Sequence, residues 1–232
     1  MKKERKILLV CGLGMSTSLL VKKMREQVKY NFEIDCCDIV SAQVKMCEYN
    51  LVLLAPHISY MKNIFINKAK HLHIPLMLID KEDYQNMNGK VLLNKIDSIL
   101  DEYQKEYPFK VVLLHALGGV MSDLMMLDMK KKLNGREKDW LIESIDIGSF
   151  NYQDSFVNVI LLEPQIKFEM EKIKRQIGKE SLVVINVPPR AKYASFNGRI
   201  MLDYINEIYD VEFKKIKKSV KQYMEETYES NF

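Results

Sequence analysis

Short apolar runs alternate with amphipathic stretches over the first half of the chain, and this pattern predicts alternating strands and helices. One helix is predicted to begin at about Ser16, and two more are predicted over residues 60–72 and 90–103. The strand-sized apolar runs cover residues 6–10, 32–37, 51–55 and 76–79. Because right-handed crossovers place helices on both faces of a parallel sheet, we predict a doubly wound α/β domain over residues 1–103, a four-stranded parallel sheet of order 2-1-3-4.

The same pattern begins again after a polar segment, residues 104–108, which we interpret as a linker. Residues 110–118 align without a gap on residues 6–14, and at the same offset Ser122 falls opposite Ser18. Residues 163–166 match 55–58, and the Tyr193, Asn197 and Gly198 pattern matches that of Tyr84, Asn88 and Gly89. These landmarks predict an internal duplication, with a second similar domain of sheet order 2-1-3-4 over residues 109–210.

The pattern after Gly198 is helical almost to the end of the chain, longer than a standard final helix. We therefore predict a C-terminal helical extension over residues 211–232. Two interpretations stay open: the extension packs back on one domain or its linker, or it forms a surface for a partner or for a second copy, making a homodimer.

Composition narrows the class of protein. The chain is 47% hydrophobic and 28% charged, and its net charge of +4 is spread along its length, so no stripe for nucleic acid is evident. No apolar run approaches the roughly 20 residues that span a bilayer, and the basic start lacks a signal-peptide core, so we expect a cytoplasmic protein. The four cysteines form no C-x-x-C pair, so no metal site is predicted, and three of them are expected to be buried apolar residues.

Cys11 is the candidate for chemistry, because it follows a buried strand and precedes a helix. The free N–H groups of a first helical turn favour a thiolate and then a phosphate. A dipole contribution of about 0.3–1 kcal/mol is smaller than the roughly 1.4 kcal/mol of one pKa unit, so hydrogen bonds from the loop have to contribute. The expected phosphate-binding residues are Gly12, Leu13, Gly14, Met15, Ser16, Thr17 and Ser18.

The string from Lys6 to Leu20, chiefly Gly14-Met15-Ser16-Thr17-Ser18, resembles the phosphorylation loop of enzyme IIB of the lactose/cellobiose branch of the bacterial sugar phosphotransferase system. Residues 51–61 and 84–89 resemble later segments of the same family. The resemblance implies that Cys11 receives a phosphoryl group from a phosphohistidine on enzyme IIA and passes it to a sugar held by membrane enzyme IIC. It also implies association with the inner face of the membrane through IIC, and no cofactor.

Other readings of the loop are less well supported. A low-molecular-weight tyrosine phosphatase has C-x5-R-[ST], but the arginine position holds Thr17 and no Asp-Pro dipeptide supplies an acid. A regulatory or scaffold protein, with Cys11 phosphorylated but no sugar transported, is the main alternative to a transport component.

Two histidines are auxiliary candidates. His57 follows the third strand and should lie near Cys11. As a cation, His57 would assist a phosphoryl group. As a solvated loop residue, it would have no part in the reaction. His115 replaces the cysteine in the second copy, whose loop has lost its hydroxyls and gained Asp123. The second domain is therefore either degenerate, kept for packing or partner binding, or a second relay station on His115.

Overall fold

The computed structural model describes residues 5–12, 15–27, 32–116, 118–152 and 156–229, with only the backbone described at Met15 and Ser16. The chain divides into two compact units, one built from the described parts of residues 1–105 and 221–232 and the other from residues 106–220. Each unit contains one four-stranded parallel sheet.

The sheet of the first unit has the order β2-β1-β3-β4, with all neighbours parallel. Its elements are β1 (Arg5–Cys11), α1 (Met15–Gln27), β2 (Phe32–Asp38), α2 (Ile39–Lys45), β3 (Leu51–Leu54), α3 (Lys62–His71), β4 (Leu76–Leu78), α4 (Lys81–Gln85) and α5 (Gly89–Glu106). The two inner strands carry the core: residues 7–10 and 51–54 are fully buried. Their apolar runs are continuous because helices cover both faces of the sheet.

The sheet of the second unit has the order β6-β5-β7-β8, again with all neighbours parallel. Its elements are β5 (Lys110–His115), α6 (Val120–Lys131), β6 (Leu141–Asp146), β7 (Val159–Leu162), α7 (Met170–Ile177), β8 (Val184–Asn186), α8 (Arg190–Ala194) and α9 (Gly198–Glu229). Two buried clusters, one on each face of the sheet, form its core. The predicted fold class and the predicted 2-1-3-4 order are confirmed for both units.

Repeated backbone contacts support the duplication in detail. The amide of Lys6 donates to Asn50 Oδ1 at 2.8 Å, and the amide of Lys110 donates to Asn158 Oδ1 at 2.7 Å. In each unit the asparagine comes directly before the third strand and fixes the start of the first one. An asparagine side chain therefore makes the same contact with the first strand in both sheets.

The final helix is continuous, as its pattern predicts. Residues 198–220 of α9 belong to the second unit and residues 221–229 to the first. Within the first unit, Lys221 Nζ lies 3.2 Å from a carboxylate oxygen of Glu48, and Met224 is buried. Of the two interpretations of the extension, the end of the helix fits the one in which it packs on a domain.

Three short helices were not predicted: α2, α4 and α8. The stretch from residue 39 to residue 50 gave no clear pattern, yet it contains α2 and a 3₁₀ turn at Met46–Glu48. Asp38 caps α2, accepting from the amides of Val40 and Ser41 at 2.8 and 2.9 Å. A side-chain cap of this kind fixes a helix that is too short for apolar periodicity to reveal.

Candidate functional site

The carboxyl ends of three parallel strands bring the candidate residues to one edge of the first sheet. Cys11 is the last residue of β1, and its Cα partner on β2 is Asp38. On the other side, β3 ends at Leu54 and leads through Pro56 to His57. Cys11 is buried but not sealed, with 6% of its surface exposed. The thiol therefore lies at the position where doubly wound sheets bind their ligands.

His57 contacts the start of the Cys11 loop. The amide of Gly12 donates a hydrogen bond to His57 Nε2 at 3.1 Å. A protonated imidazole has no lone pair to accept this bond, so the contact requires a neutral ring with its proton on Nδ1. Here His57 acts as an acceptor for the loop, a role different from the cation considered on sequence grounds.

A second polar contact fixes the first turn of α1. Thr17 is fully buried, and its Oγ1 lies 2.6 Å from the hydroxyl of Tyr84. The Tyr84 ring also meets the His57 ring edge to face, with centroids 5.7 Å apart. A chain of contacts thus runs from the Gly12 amide through His57 and Tyr84 to Thr17 in the first turn of α1.

The end of β2 is polar and partly open. Cys36 and Cys37 are half-buried, so the prediction that they are enclosed apolar residues is wrong; β2 is an edge strand, which leaves its side chains more accessible. Cys47 is buried, as predicted. Burial, followed by the charge of Asp38, raises the pKa of Cys37 to about 12, which keeps this thiol protonated near neutral pH.

The structure brings only some of the predicted residues together. Cys11, Gly12 and His57 meet at the sheet edge, while the hydroxyl of Thr17 turns to Tyr84. Ser18 is exposed, with its Oγ 4.0 Å from Cys36 Sγ. The remaining predicted phosphate-binding positions, Leu13 and Gly14 and the side chains of Met15 and Ser16, lie outside the described residues.

Sequence reasoning missed Tyr84 as a member of this site. A signal was present, because Tyr84 precedes Asn88 and Gly89 in a pattern that the second half repeats at Tyr193. This pattern is evidence of duplication. Its repetition also indicates a contact that both units need.

The second unit has the same framework with different chemistry. His115 ends β5 opposite Asp146 of β6, and its Nδ1 lies 2.7 Å from the carbonyl oxygen of Ala116. The hydroxyls of Ser122 and Tyr193 are hydrogen-bonded, as those of Thr17 and Tyr84 are in the first unit. Ser122 is therefore the counterpart of Thr17.

This equivalence corrects the gapless alignment of the two loops. Three residues separate Cys11 from the start of α1 at Met15, whereas four separate His115 from the start of α6 at Val120. The second loop is one residue longer, so Asp123 corresponds to Ser18 and not to Leu19. The prediction that Ser122 matches Ser18 is wrong, because the extra residue was taken up among glycines without a break in the pattern.

Removing the Thr17 hydroxyl tests the role of the contact with Tyr84. Thr17→Val keeps the shape of this buried side chain but removes one hydroxyl-to-hydroxyl bond, so we expect the first unit to lose about 1 kcal/mol of unfolding free energy. Urea unfolding followed by far-UV circular dichroism measures the loss. Ser98→Ala, which removes an exposed hydroxyl on α5, is the control and should change little. Equal effects of the two changes would contradict a structural role for this pair.

Two features that are absent from the described residues bear on the class of protein. No described group of three or more histidine, cysteine or acidic side chains is arranged to hold a metal ion. In the same part of the chain, no helix combines the length and the apolar character that crossing a membrane requires.

Residues 6–95 match the family model for the lactose/cellobiose-specific IIB subunit of the phosphotransferase system. A galactose-specific EIIB component from Lactococcus lactis subsp. cremoris (strain MG1363) is 30% identical over 106 residues, which cover 42% of this chain and 98% of the relative. A cellobiose-specific EIIB component from Lactococcus lactis subsp. lactis (strain IL1403) shows the same identity and coverage.

A third relative, an oligo-beta-mannoside-specific EIIB component from Bacillus subtilis (strain 168), is 36% identical over 89 residues, 37% of this chain and 86% of its own length. The family model and the first unit cover nearly the same residues, with Cys11, His57 and Tyr84 inside the match. The chain therefore belongs to the lactose/cellobiose-specific IIB subunit family and is a component of the sugar phosphotransferase system.

Proposed function

We propose that Cys11 accepts a phosphoryl group from a phosphohistidine on enzyme IIA and delivers it to a sugar bound by enzyme IIC, which holds the protein at the inner face of the membrane. One observation carries this proposal: Cys11 ends the inner strand β1 of the family-matched unit, four residues before α1 begins at Met15. That position gives a thiolate access to backbone N–H groups that can also bind a phosphate.

The two transfers balance as simple displacements at phosphorus. In the first, the Cys11 thiolate forms an S–P bond while the P–N bond of the donor breaks. The electron pair of the P–N bond returns to the donor imidazole. In the second, a sugar hydroxyl oxygen forms an O–P bond, the S–P bond breaks, and the thiolate leaves with the electron pair. The hydroxyl proton passes to a base beside the sugar.

Residues of the loop would stabilise the charge on the phosphoryl oxygens. The Gly12 amide now donates to His57 Nε2, and it becomes available to a phosphate oxygen when that bond opens. The backbone N–H groups of residues 13–18 and the hydroxyls of Ser16 and Ser18 complete the binding set. Because the Thr17 hydroxyl already bonds Tyr84, we assign to Thr17 a contribution through its backbone N–H.

A regulatory protein is the second candidate, and the second unit favours it. That unit keeps the fold but has His115 in place of the cysteine, which is unexpected in a component that only relays phosphate. A regulator would also carry phosphate on Cys11, but it would form no sugar phosphate in membranes containing IIC.

The proposal predicts one phosphate per chain, on Cys11. Incubation with phosphoenolpyruvate, the general phosphotransferase proteins and a lactose/cellobiose-type IIA should add one phosphoryl group, measured by intact mass. Cys11→Ser should abolish the addition, because serine lacks the sulfur nucleophile at this position.

The matched control is His115→Ala, which alters the equivalent position of the second unit and should leave the added mass unchanged. A phosphate that survives Cys11→Ser and disappears with His115→Ala would reverse the assigned roles. A wild-type chain that gains no phosphate from a charged donor would end the proposal.

A further inference from the structure

Two exposed apolar side chains recur at equivalent positions of the two units. Leu19 and Leu124 each follow the buried hydroxyl residue of the first helix by two positions, and they are 49% and 53% exposed. Tyr60 and Phe168 each lie four residues after the proline that follows the third strand, and both are 74% exposed. Core packing does not account for side chains this exposed. Their repetition marks a surface at the same edge of each sheet.

The second unit extends this surface. Val120, Leu124 and Leu127 lie on one face of α6, and all three are exposed. The residue of the first unit that corresponds to Leu127 is Lys22. Exposed apolar patches of this kind mark protein interaction sites, and α6 of the unit without the cysteine carries such a patch.

The charges at this edge also differ between the units. Asp123 stands where the first unit has Ser18, and Glu163 stands where it has Ala55. Burial raises the pKa of Tyr193 to about 12; the hydrogen bond with Ser122 lowers it, and the charges of Glu163 and Asp123 raise it to a lesser degree. The second unit therefore has two acidic residues at positions that are uncharged in the first unit.

The strand-end residue agrees with this change. His115 is buried, and its Nδ1 is held by the carbonyl of the next residue. The amide of Glu163 donates to the carbonyl of Leu114, the residue before His115, so the charges of Glu163 and Asp123 would repel a phosphoryl group brought to this strand end. A protonated imidazole presented by a partner would instead be attracted, and a neutral one would not be repelled.

We propose that the second unit is a docking site for the phosphoryl-donor protein in its unphosphorylated form. The inference rests on the proposed function, because a donor that reaches Cys11 must cover Leu19 and Tyr60, and Leu124 and Phe168 offer it the same pair of apolar contacts. The added carboxylates then select the donor whose histidine has lost its phosphate. The chain would thereby retain spent donor on one unit while the other receives the charged form.

Titration calorimetry with a lactose/cellobiose-type IIA tests the inference on the full chain carrying Cys11→Ser, which prevents transfer. Two unphosphorylated donors should bind per chain, but only one phosphorylated donor. The variant Leu124→Asp with Phe168→Asp should weaken the second site at least about tenfold. The matched variant Leu19→Asp with Tyr60→Asp should weaken the first site instead. Asp123→Asn with Glu163→Gln should let the phosphorylated donor occupy both sites.

Several outcomes would overturn the inference: one unphosphorylated donor per chain, equal binding of both donor forms to the second unit, phosphate appearing on His115, or a dimer in sedimentation that the Leu124 and Phe168 changes abolish. Phosphorylation of Cys11, measured in the wild-type chain, distinguishes a failure of the docking inference from a failure of the proposed function. Normal transfer with a single bound donor would sink the docking inference alone. Absence of transfer would sink the proposed function.

Discussion

Glu137→Ala is expected to lower the unfolding free energy of the second unit by about 3 kcal/mol at neutral pH. The Glu137 side chain is only 4% exposed, and it accepts two hydrogen bonds from the guanidinium of Arg199 at 2.6 and 2.7 Å. It also accepts from the amide of Asn206. Removing the carboxylate leaves the partly buried Arg199 with only the exposed Asp203 as an acidic partner, and the Asn206 amide without this acceptor, so the cost exceeds that of a surface pair.

The effect should depend on pH in a defined direction. The hydrogen bonds from Arg199 hold the pKa of Glu137 below its ordinary value. The stabilisation is complete above the unfolded-state pKa of about 4.3 and is lost as the pH falls through the lower folded-state value. The difference between wild type and Glu137→Ala should therefore shrink below about pH 4.

Trp140 makes the measurement specific. It is the single tryptophan of the chain and stacks on Phe109 within the second unit, with ring centroids 4.4 Å apart. Urea unfolding followed by its fluorescence therefore reports on this unit. Glu207→Ala, which removes an exposed partner of Lys192, is the control and should cost less than about 1 kcal/mol. A loss that small for Glu137→Ala would contradict the argument.

Gly198→Ala should destabilise the second unit by about 2–3 kcal/mol, although alanine normally favours a helix over glycine by up to about 1 kcal/mol. Gly198 begins α9 against α6, and a Cβ added there would overlap the backbone of Asp128 and Met129. Backbone atoms cannot move aside as a flexible side chain would. The unfolding curve of Trp140 fluorescence measures the change.

Gly89 provides the matched control in the first unit. It begins α5 against α1, but an added Cβ would lie 3.0 Å from the nearest atom, the amide nitrogen of Met24. This contact is tight rather than overlapping, so Gly89→Ala should cost less, as measured by far-UV circular dichroism. A Gly198→Ala protein that is more stable than wild type would show that helix propensity outweighs the close approach.

The sheets could be predicted because their inner strands are continuous apolar runs, and the handedness of the crossovers then restricts the strand order. The helices α2, α4 and α8, of five to seven residues, could not be predicted, because such lengths span too few turns for a periodic apolar face. The extra residue in the loop before α6 could not be predicted, because Gly118 and Gly119 align on the glycines of the first loop almost equally well with or without a gap.

The site was predictable as far as strand ends determine it. Cys11 ends β1 and His57 comes shortly after the neighbouring parallel strand β3, so the placement of both at one edge of the sheet follows from topology alone. The contact between Thr17 and Tyr84 joins residues 67 positions apart and depends on how α1 packs beside α4, which no local pattern encodes. Which hydroxyls face a ligand and which face the core is decided by that packing.

The two hydrogen-bonded hydroxyl pairs have a practical consequence for protein engineering. The bond between Ser122 and Tyr193 holds α6 in the way that Thr17 and Tyr84 hold α1, even though the strand beside it ends in an imidazole. Anchoring of the helix and reactivity at the strand end are thus separable in this architecture. A variant of the second unit could shorten the segment after β5 by one residue and combine His115→Cys with neutral substitutes for Asp123 and Glu163. In such a variant, α6 would already be anchored by Ser122 and Tyr193.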